Sequence, residues 1–344
     1  MDIKQLHDIA MRLVAPGKGI LAADESTGSI EKRFATIGVS STAENRRDYR
    51  EMLFRTTDAL RDYISGVILF DETIRQKAKD GTPLVSLIEQ AGSIPGIKVD
   101  KGAKPLALAD GETVTEGLDG LRERLREYYG LGALFAKWRA VIAIGRAGDT
   151  SIPSSYCIEA NASALARYAA VCQEQNIVPI VEPEVLMDGN HDIHRCFEVT
   201  EFTLRTVFGE LFRHRVQLEG TILKPNMIVP GKEAPKQASP AEVAEMTIKC
   251  FRRAVPAAVP GIVFLSGGQS DVEATANLNA INALEGDLPW RISFSYGRAL
   301  QSAPLKAWGG EAENEPSAQK AFLHRARMNG LAQKGEWNPE RETQ

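Results

Sequence analysis

Apolar and polar positions along the chain follow two alternating rhythms. Short β-like runs recur at Gly19 to Asp24, Gly66 to Phe70, Gly96 to Asp100, Phe135 to Ile144, Ile177 to Glu184, Thr221 to Lys224, Gly261 to Ser266 and Arg291 to Tyr296. Each is rich in branched or aromatic residues, or alternates with period two, and each predicts a strand. Between them, Ala160 to Gln175, Arg195 to Phe212, Pro240 to Val255 and Asp271 to Leu284 carry apolar residues at helical spacing with a polar opposite face. The opening stretch has the same spacing at Ile3, Leu6, Ile9, Ala10, Leu13 and Val14, while Asp2 and Asp8 break any continuous apolar run, so it predicts an N-terminal helix rather than a signal peptide.

Eight strands alternating with helices predict an α/β fold with a parallel sheet, a single (β/α)8 TIM barrel filling 1–344 as one domain. Asp110 to Gly120 reads as an excursion after the third strand, and Gly231 to Pro240 as a Pro/Lys-rich loop after the sixth. Beyond Gly330 the chain turns polar, and about 331–344 is expected to form a flexible C-terminal tail. Neither a Gly/Ser/Pro-rich linker nor an internal repeat divides the sequence.

Composition narrows the functional classes. With 43% hydrophobic residues in 344, a large core is affordable, and 41 basic against 45 acidic residues leave a dispersed net charge of −4. Neither a nucleic-acid nor a membrane partner is expected, because no basic stripe exists and no run approaches the roughly 18 apolar residues of a membrane span. Cys157, Cys172, Cys196 and Cys250 are widely spaced, which implies neither a zinc site nor a disulfide framework and fits a reducing, cytoplasmic setting. His191 and His194 follow the turn-like Asp188-Gly189-Asn190 with no carboxylate or thiol at a familiar ligand spacing, so no metal is expected. Walker and Rossmann glycine patterns are absent from the sequence.

The ends of the predicted strands carry the chemistry. In Gly220-Thr221-Ile222-Leu223-Lys224-Pro225-Asn226, an ammonium interrupts an apolar strand that stops at proline. Such a lysine is paired or functional: desolvation favours the neutral amine, which attacks carbonyl carbon. Other strand ends supply Asp24, Lys101 after Asp100, Lys137 with Arg139, Glu182 with Glu184, Ser266-Gly267-Gly268 and Gly297-Arg298. Period-two alternation puts Lys137 and Arg139 on one face and Glu182 and Glu184 on one face. Taken singly, Glu182 is as well explained by an ion pair to Lys137, and Arg139 by a structural clamp. Taken together, charges at the ends of at least five buried strands point to a task, because buried charges without one are costly. Gly267-Gly268 with Ser266, and Gly297 with Arg298, have the make-up of a phosphate cradle after strands seven and eight.

These segments resemble the class I, Schiff-base fructose-bisphosphate aldolases from about Asp2 to Trp337. The likeness rests on Leu21-Ala22-Ala23-Asp24-Glu25-Ser26-Thr27-Gly28-Ser29, Ile97-Lys98-Val99-Asp100-Lys101-Gly102, Phe135-Ala136-Lys137-Trp138-Arg139 and Val178-Pro179-Ile180-Val181-Glu182-Pro183-Glu184, then Leu223-Lys224-Pro225-Asn226-Met227, Phe264-Leu265-Ser266-Gly267-Gly268-Gln269-Ser270 and Phe294-Ser295-Tyr296-Gly297-Arg298-Ala299-Leu300. The resemblance implies reversible, cofactor-free cleavage of fructose 1,6-bisphosphate to dihydroxyacetone phosphate and glyceraldehyde 3-phosphate. By it, Lys224 forms the imine, Glu182 is the acid/base for carbinolamine dehydration, Asp24 handles the C4 hydroxyl proton, and Lys137 assists with Glu184 alongside. Ser266, Gly267, Gly297 and Arg298 are implied contacts for one phosphate, Ser29, Arg33 and Lys101 for the other, and Arg139 a contributor at the mouth. The family is commonly homotetrameric.

Animal members end in a tyrosine used to protonate the enamine, whereas here the last tyrosine is Tyr296. Glu182, Glu184 or water is therefore expected to deliver that proton, and trimming beyond Gly335 to leave proton exchange at dihydroxyacetone-phosphate C3 intact. The competing readings are another Schiff-base aldolase or transaldolase, and a catalytically inactive barrel acting as a scaffold.

Overall fold

All eight predicted strands form and pair in sequence order. In the computed structural model, which describes residues 1–284 and 286–343, they close into one barrel: β1 (Gly19–Ala23), β2 (Ile64–Leu69), β3 (Ile94–Lys98), β4 (Phe135–Ile142), β5 (Val178–Val185), β6 (Ile222–Leu223), β7 (Gly261–Phe264) and β8 (Arg291–Tyr296). Every pairing is parallel, and β1 closes the ring against both β2 and β8. All eight strands therefore end on the same rim, which is the side where barrel chemistry collects.

The barrel interior is apolar at its other end. Ile20, Ala22, Ile68, Ile94, Phe135, Val178, Ile180, Ile222 and Val263 form one buried cluster with Leu6, Ile9, Ala10, Leu13 and Val14. Those last five lie on or just after the N-terminal helix Ile3–Leu13, which Asp2 caps by accepting from the Gln5 amide at 3.0 Å. The helix thus seals the floor of the barrel. Two glycines make the fit possible: a side chain at Gly96 would collide with the Phe135 ring, and one at Gly261 with Val14. Burying the helix stripe withdraws its apolar surface from water, the dominant favourable term in folding.

Helices clothe the outside. On β4, Trp138 points away from the interior and meets Tyr168 of helix Ser155–Glu174 at 5.5 Å between ring centroids. After β7, Ser270 and Glu273 form a reciprocal capping box at the start of helix Asp271–Asn282, fixing the exit of the Ser266-Gly267-Gly268 turn. The excursion after the third strand contains an antiparallel hairpin of Ala103–Pro105 and Thr113–Thr115. A second hairpin, Gly145–Ala147 with Thr150–Ile152, follows β4 in a stretch whose sequence gave no such signal. Past Gly330 the chain stays helical to Gln333, Trp337 is buried, and its indole donates to Glu342, which also pairs with Arg325 at 2.5 Å. Gln344, the last residue of the expected tail, lies outside the described residues. Among the described residues, no helix is long and apolar enough to cross a membrane.

Candidate active site

The rim at the strand ends is built from residues two positions beyond the apolar floor. Register sets Arg139 beside Glu182 and Val141 beside Glu184 between β4 and β5, and Lys98 beside Lys137 between β3 and β4. Lys224 follows β6 directly, and its amide donates to the Val181 carbonyl at 2.8 Å, which brings it level with Glu182.

Four buried or nearly buried charges form a continuous chain. Lys224 Nζ lies 3.1 Å from Glu182 Oε1, Lys137 Nζ lies 3.3 Å from Glu182 Oε2, and Lys137 Nζ lies 2.7 Å from Asp24 Oδ2. Glu182 Oε2 has no partner with hydrogen-bond geometry, so the contact to Lys137 is coulombic. One carboxylate therefore serves two ammonium groups, and Lys137 is shared between two carboxylates. Burial pushes the Asp24 carboxyl up, but Lys137, Lys224 and Lys98 outweigh it and hold the group well below the usual carboxylate range. Burial likewise pulls Lys137 down, but Asp24, Glu182 and Asp100 outweigh it and raise the ammonium above its ordinary value. Lys137 thus presents a cation already countered by two anions, so its repulsion toward Lys224 is weaker than two neighbouring lysines would suggest from sequence.

Arg139 and Glu184 form a second pair at the mouth, the Arg139 Nε donating to Glu184 Oε2. Glu184 is buried but oriented toward that guanidinium rather than toward Lys224, while Arg139 is only half covered.

Gly267 and Arg298 come together through the guanidinium, which donates to the Gly267 carbonyl. Gly267 adopts φ 55°, the left-handed conformation that glycine accepts at little cost, and Ser266 beside it is buried. Arg33 joins this group: a side chain at Gly297 would meet Arg33 Nη2 at 3.4 Å, and Arg33 and Arg298 line a common cavity with Lys32 and Lys306. Glu25 holds Arg33 at 2.5 Å and accepts from Gln301 Nε2 at 2.8 Å. The family resemblance groups Arg33 with Ser29 and Lys101; in the structure Arg33 lies beside Gly297 and Arg298. Ser29 is exposed on helix Thr27–Ala35, its hydroxyl 3.0 Å from that of Ser26. Ser26 and Lys101 line a different cavity of about 550 Å³ with Lys98 and Asp100.

Lys98 and Glu25 are not among the strand-end candidates, and Asp100 enters them only as the neighbour of Lys101. Because β3 stops at Lys98, three residues earlier than Lys101, Lys98 occupies the register position beside Lys137 and pairs with Asp100 at 2.5 Å, while Lys101 is exposed. Period-two alternation from Gly96 places Lys98 and Asp100 on one face, the signal in the sequence that points to them. Among the described residues, no group of three His, Cys, Asp or Glu side chains is arranged to hold a metal ion.

A sequence profile described as Fructose-bisphosphate aldolase class-I matches residues 5–344. The chain is 61% identical over 338 residues to a probable fructose-bisphosphate aldolase class 1 of Xanthomonas campestris pv. campestris, covering 98% of this chain and 99% of the relative. It is 54% identical over 334 residues to fructose-bisphosphate aldolase C of Rattus norvegicus, covering 97% and 91% respectively. Among solved structures, the fructose-bisphosphate aldolase of Plasmodium falciparum, crystallised with TRAP and a small-molecule inhibitor, superposes with a TM-score of 0.94 at 48% identity over 98% of this chain and 96% of that one.

Proposed function

The chain belongs to the class I fructose-bisphosphate aldolase family and is a lyase, and from that premise we propose how its residues divide the reversible cleavage of fructose 1,6-bisphosphate. The neutral amine of Lys224 adds to the C2 ketone, and Glu182 donates the proton with which the carbinolamine hydroxyl leaves as water. The resulting protonated imine is the electron sink: Asp24 takes the C4 hydroxyl proton, the C3–C4 bond breaks, glyceraldehyde 3-phosphate departs, and the electrons settle into an enamine. Proton return to C3 by Glu182, Glu184 or water, then hydrolysis, frees dihydroxyacetone phosphate and Lys224.

The observation that carries this reading is the buried relay Lys224–Glu182–Lys137–Asp24, with contacts of 3.1, 3.3 and 2.7 Å. A carboxylate between two ammonium groups can give a proton to one side and be recharged from the other. Asp24 paired with Lys137 is ionised but a weak base. It becomes a competent acceptor when the Lys137 ammonium turns toward negative charge on the substrate, which ties proton abstraction to a bound substrate. Arg139 steadies Glu184 at the mouth. Ser266, Gly267, Gly297 and Arg298 with Arg33 take one phosphate, and Ser29, Lys101 and Lys98 take the other, so that both ends orient the scissile bond.

Borohydride reduction in the presence of dihydroxyacetone phosphate and EDTA, followed by peptide mapping, tests the assignment. A reduced adduct on Lys224 is expected; cleavage that proceeds in wild-type enzyme without any trapped lysine would sink it. The chain also assembles as a homotetramer, as its family commonly does, and works in the cytoplasm, a setting that suits four free, buried cysteines. A mass from light scattering checks the first point, and fractionation the second. The chain works as a single barrel domain, to which the C-terminal segment is tied by the buried Trp337 and by Glu342 on Arg325.

A further inference from the structure

One cation at the phosphate seat belongs to neither motif that builds it. The loops after β5 and β6 are laced together: the Lys232 amide donates to the Met187 carbonyl at 2.8 Å, Gly231 to His191 at 2.8 Å, and Glu233 to Gly189 at 2.9 Å. This lacing lays the Lys232 side chain across Gly268, so closely that a side chain at Gly268 would collide with Lys232 Cε and Nζ. The Gly268 amide donates to Met187 Sδ at 3.1 Å, which fixes the same loop against the Ser266-Gly267-Gly268 turn. Arg298 donates to the Gly267 carbonyl of the same turn, and Arg33 lies beside Gly297.

Among the described residues, the one anion within ion-pair distance of Lys232 is Asp188, 3.0 Å away, and both side chains are well exposed, at 41% and 66%. Such pairs are screened by solvent and hold little free energy. A phosphate dianion, with more charge and three acceptor oxygens, is the stronger partner for an ammonium on a flexible stem.

Resting on the function proposed above, we propose that Lys232 is a further substrate-binding residue: it exchanges Asp188 for an oxygen of the phosphate seated by Ser266, Gly267, Gly297 and Arg298. The cation comes from the loop after β6, immediately downstream of Lys224, so phosphate capture and the imine-forming strand are tied to one segment of chain. A side chain at Gly268 would displace the Lys232 ammonium from this position.

The test is isothermal titration with inorganic phosphate and with dihydroxyacetone phosphate, beside borohydride trapping with dihydroxyacetone, which lacks the phosphate. Lys232→Met should raise both phosphate dissociation constants about tenfold, the loss of roughly one charge-assisted contact, while trapping by dihydroxyacetone holds. Lys232→Arg should restore most of the affinity, and Asp188→Asn, by releasing the ammonium, should tighten phosphate binding up to about threefold. Unchanged phosphate affinity in Lys232→Met overturns the proposal, as does an equal loss for the phosphate-bearing and phosphate-free ligands, which would mark a merely structural role. The two readings fail separately: a wild-type enzyme that traps nothing on Lys224 defeats the imine assignment, while the phosphate titrations still decide on Lys232.

Discussion

The floor and the rim of this barrel are made by the same strands, two residues apart. Phe135 precedes Lys137, Ile180 precedes Glu182, Ile222 precedes Lys224 and Ala22 precedes Asp24. In each pair the first residue belongs to the dry cluster sealed by the N-terminal helix, and the second to the linked charges above it. The same interior face therefore changes from hydrocarbon to ion relay within one period of the pleat, about 6.6 Å along the strand. The floor cannot rearrange without creating voids, so it holds the rim charges at fixed spacing. The rim draws its pairings from that rigidity, because buried charges need well-placed partners. Floor substitutions should therefore act on stability and rim substitutions on chemistry.

The sharpest test of that division is Lys224→Ala. Cleavage should fall by at least about 10⁴-fold, as for removal of a nucleophile elsewhere, with no borohydride adduct and a melting temperature little changed. A variant with near-normal turnover would end the division at its most important point. Next comes the floor: Phe135 is fully buried, and Phe135→Ala should cost about 3–5 kcal/mol in denaturant unfolding while the folded fraction keeps its kcat. Glu182→Gln keeps the shape of the relay but cannot pass a proton, so kcat should drop about 10²–10³-fold, with imine trapping slowed rather than abolished.

The pH dependence of stability offers a subtler probe of the rim. Asp24 is held below its ordinary value of 3.8 and Lys137 above its ordinary 10.5. For the depressed carboxyl, the stabilisation is present above pH 3.8 and is lost as pH falls toward the folded pKa; for the raised ammonium, it is present below pH 10.5 and is lost as pH rises toward the folded pKa. Unfolding free energy should thus show an acid limb below about pH 4 that Asp24→Asn removes, while Phe135→Ala shifts the whole profile without changing its shape. The smallest effect belongs to the tail. Glu342 ties it to Arg325, so Glu342→Gln should speed limited proteolysis beyond Gln333 by a few-fold and leave barrel unfolding unchanged to within about 0.5 kcal/mol.

Much of the fold was legible because strand and helix periodicities are local. All eight barrel strands fell within two residues of their expected starts, and the helices Pro240–Ala254 and Asp271–Asn282 within two of their expected ends. The hairpin from Gly145 to Ile152 was not legible, since its strands are three residues each and turn at Gly148 with φ 59°. Within the candidate site, alternation sufficed to put Lys137 with Arg139 and Glu182 with Glu184 on shared faces. It gave no warning that Arg139 would take Glu184 while Lys137 took Glu182 and Asp24.

By itself the sequence determined the elements, their order, the faces their side chains share, and the presence of lysines and carboxylates where strands end. It did so because a period of two or of 3.6 is written in neighbouring residues. Only the tertiary structure decided the pairings: Asp24 of the first strand against Lys137 of the fourth, Lys98 rather than Lys101 beside it, Arg33 at Gly297, and Lys232 over Gly268. Those contacts join residues 113, 39, 264 and 36 positions apart. Closure of the ring and the stagger of its strands fix which side chains meet across the interior, and neither is recorded in any local stretch of chain.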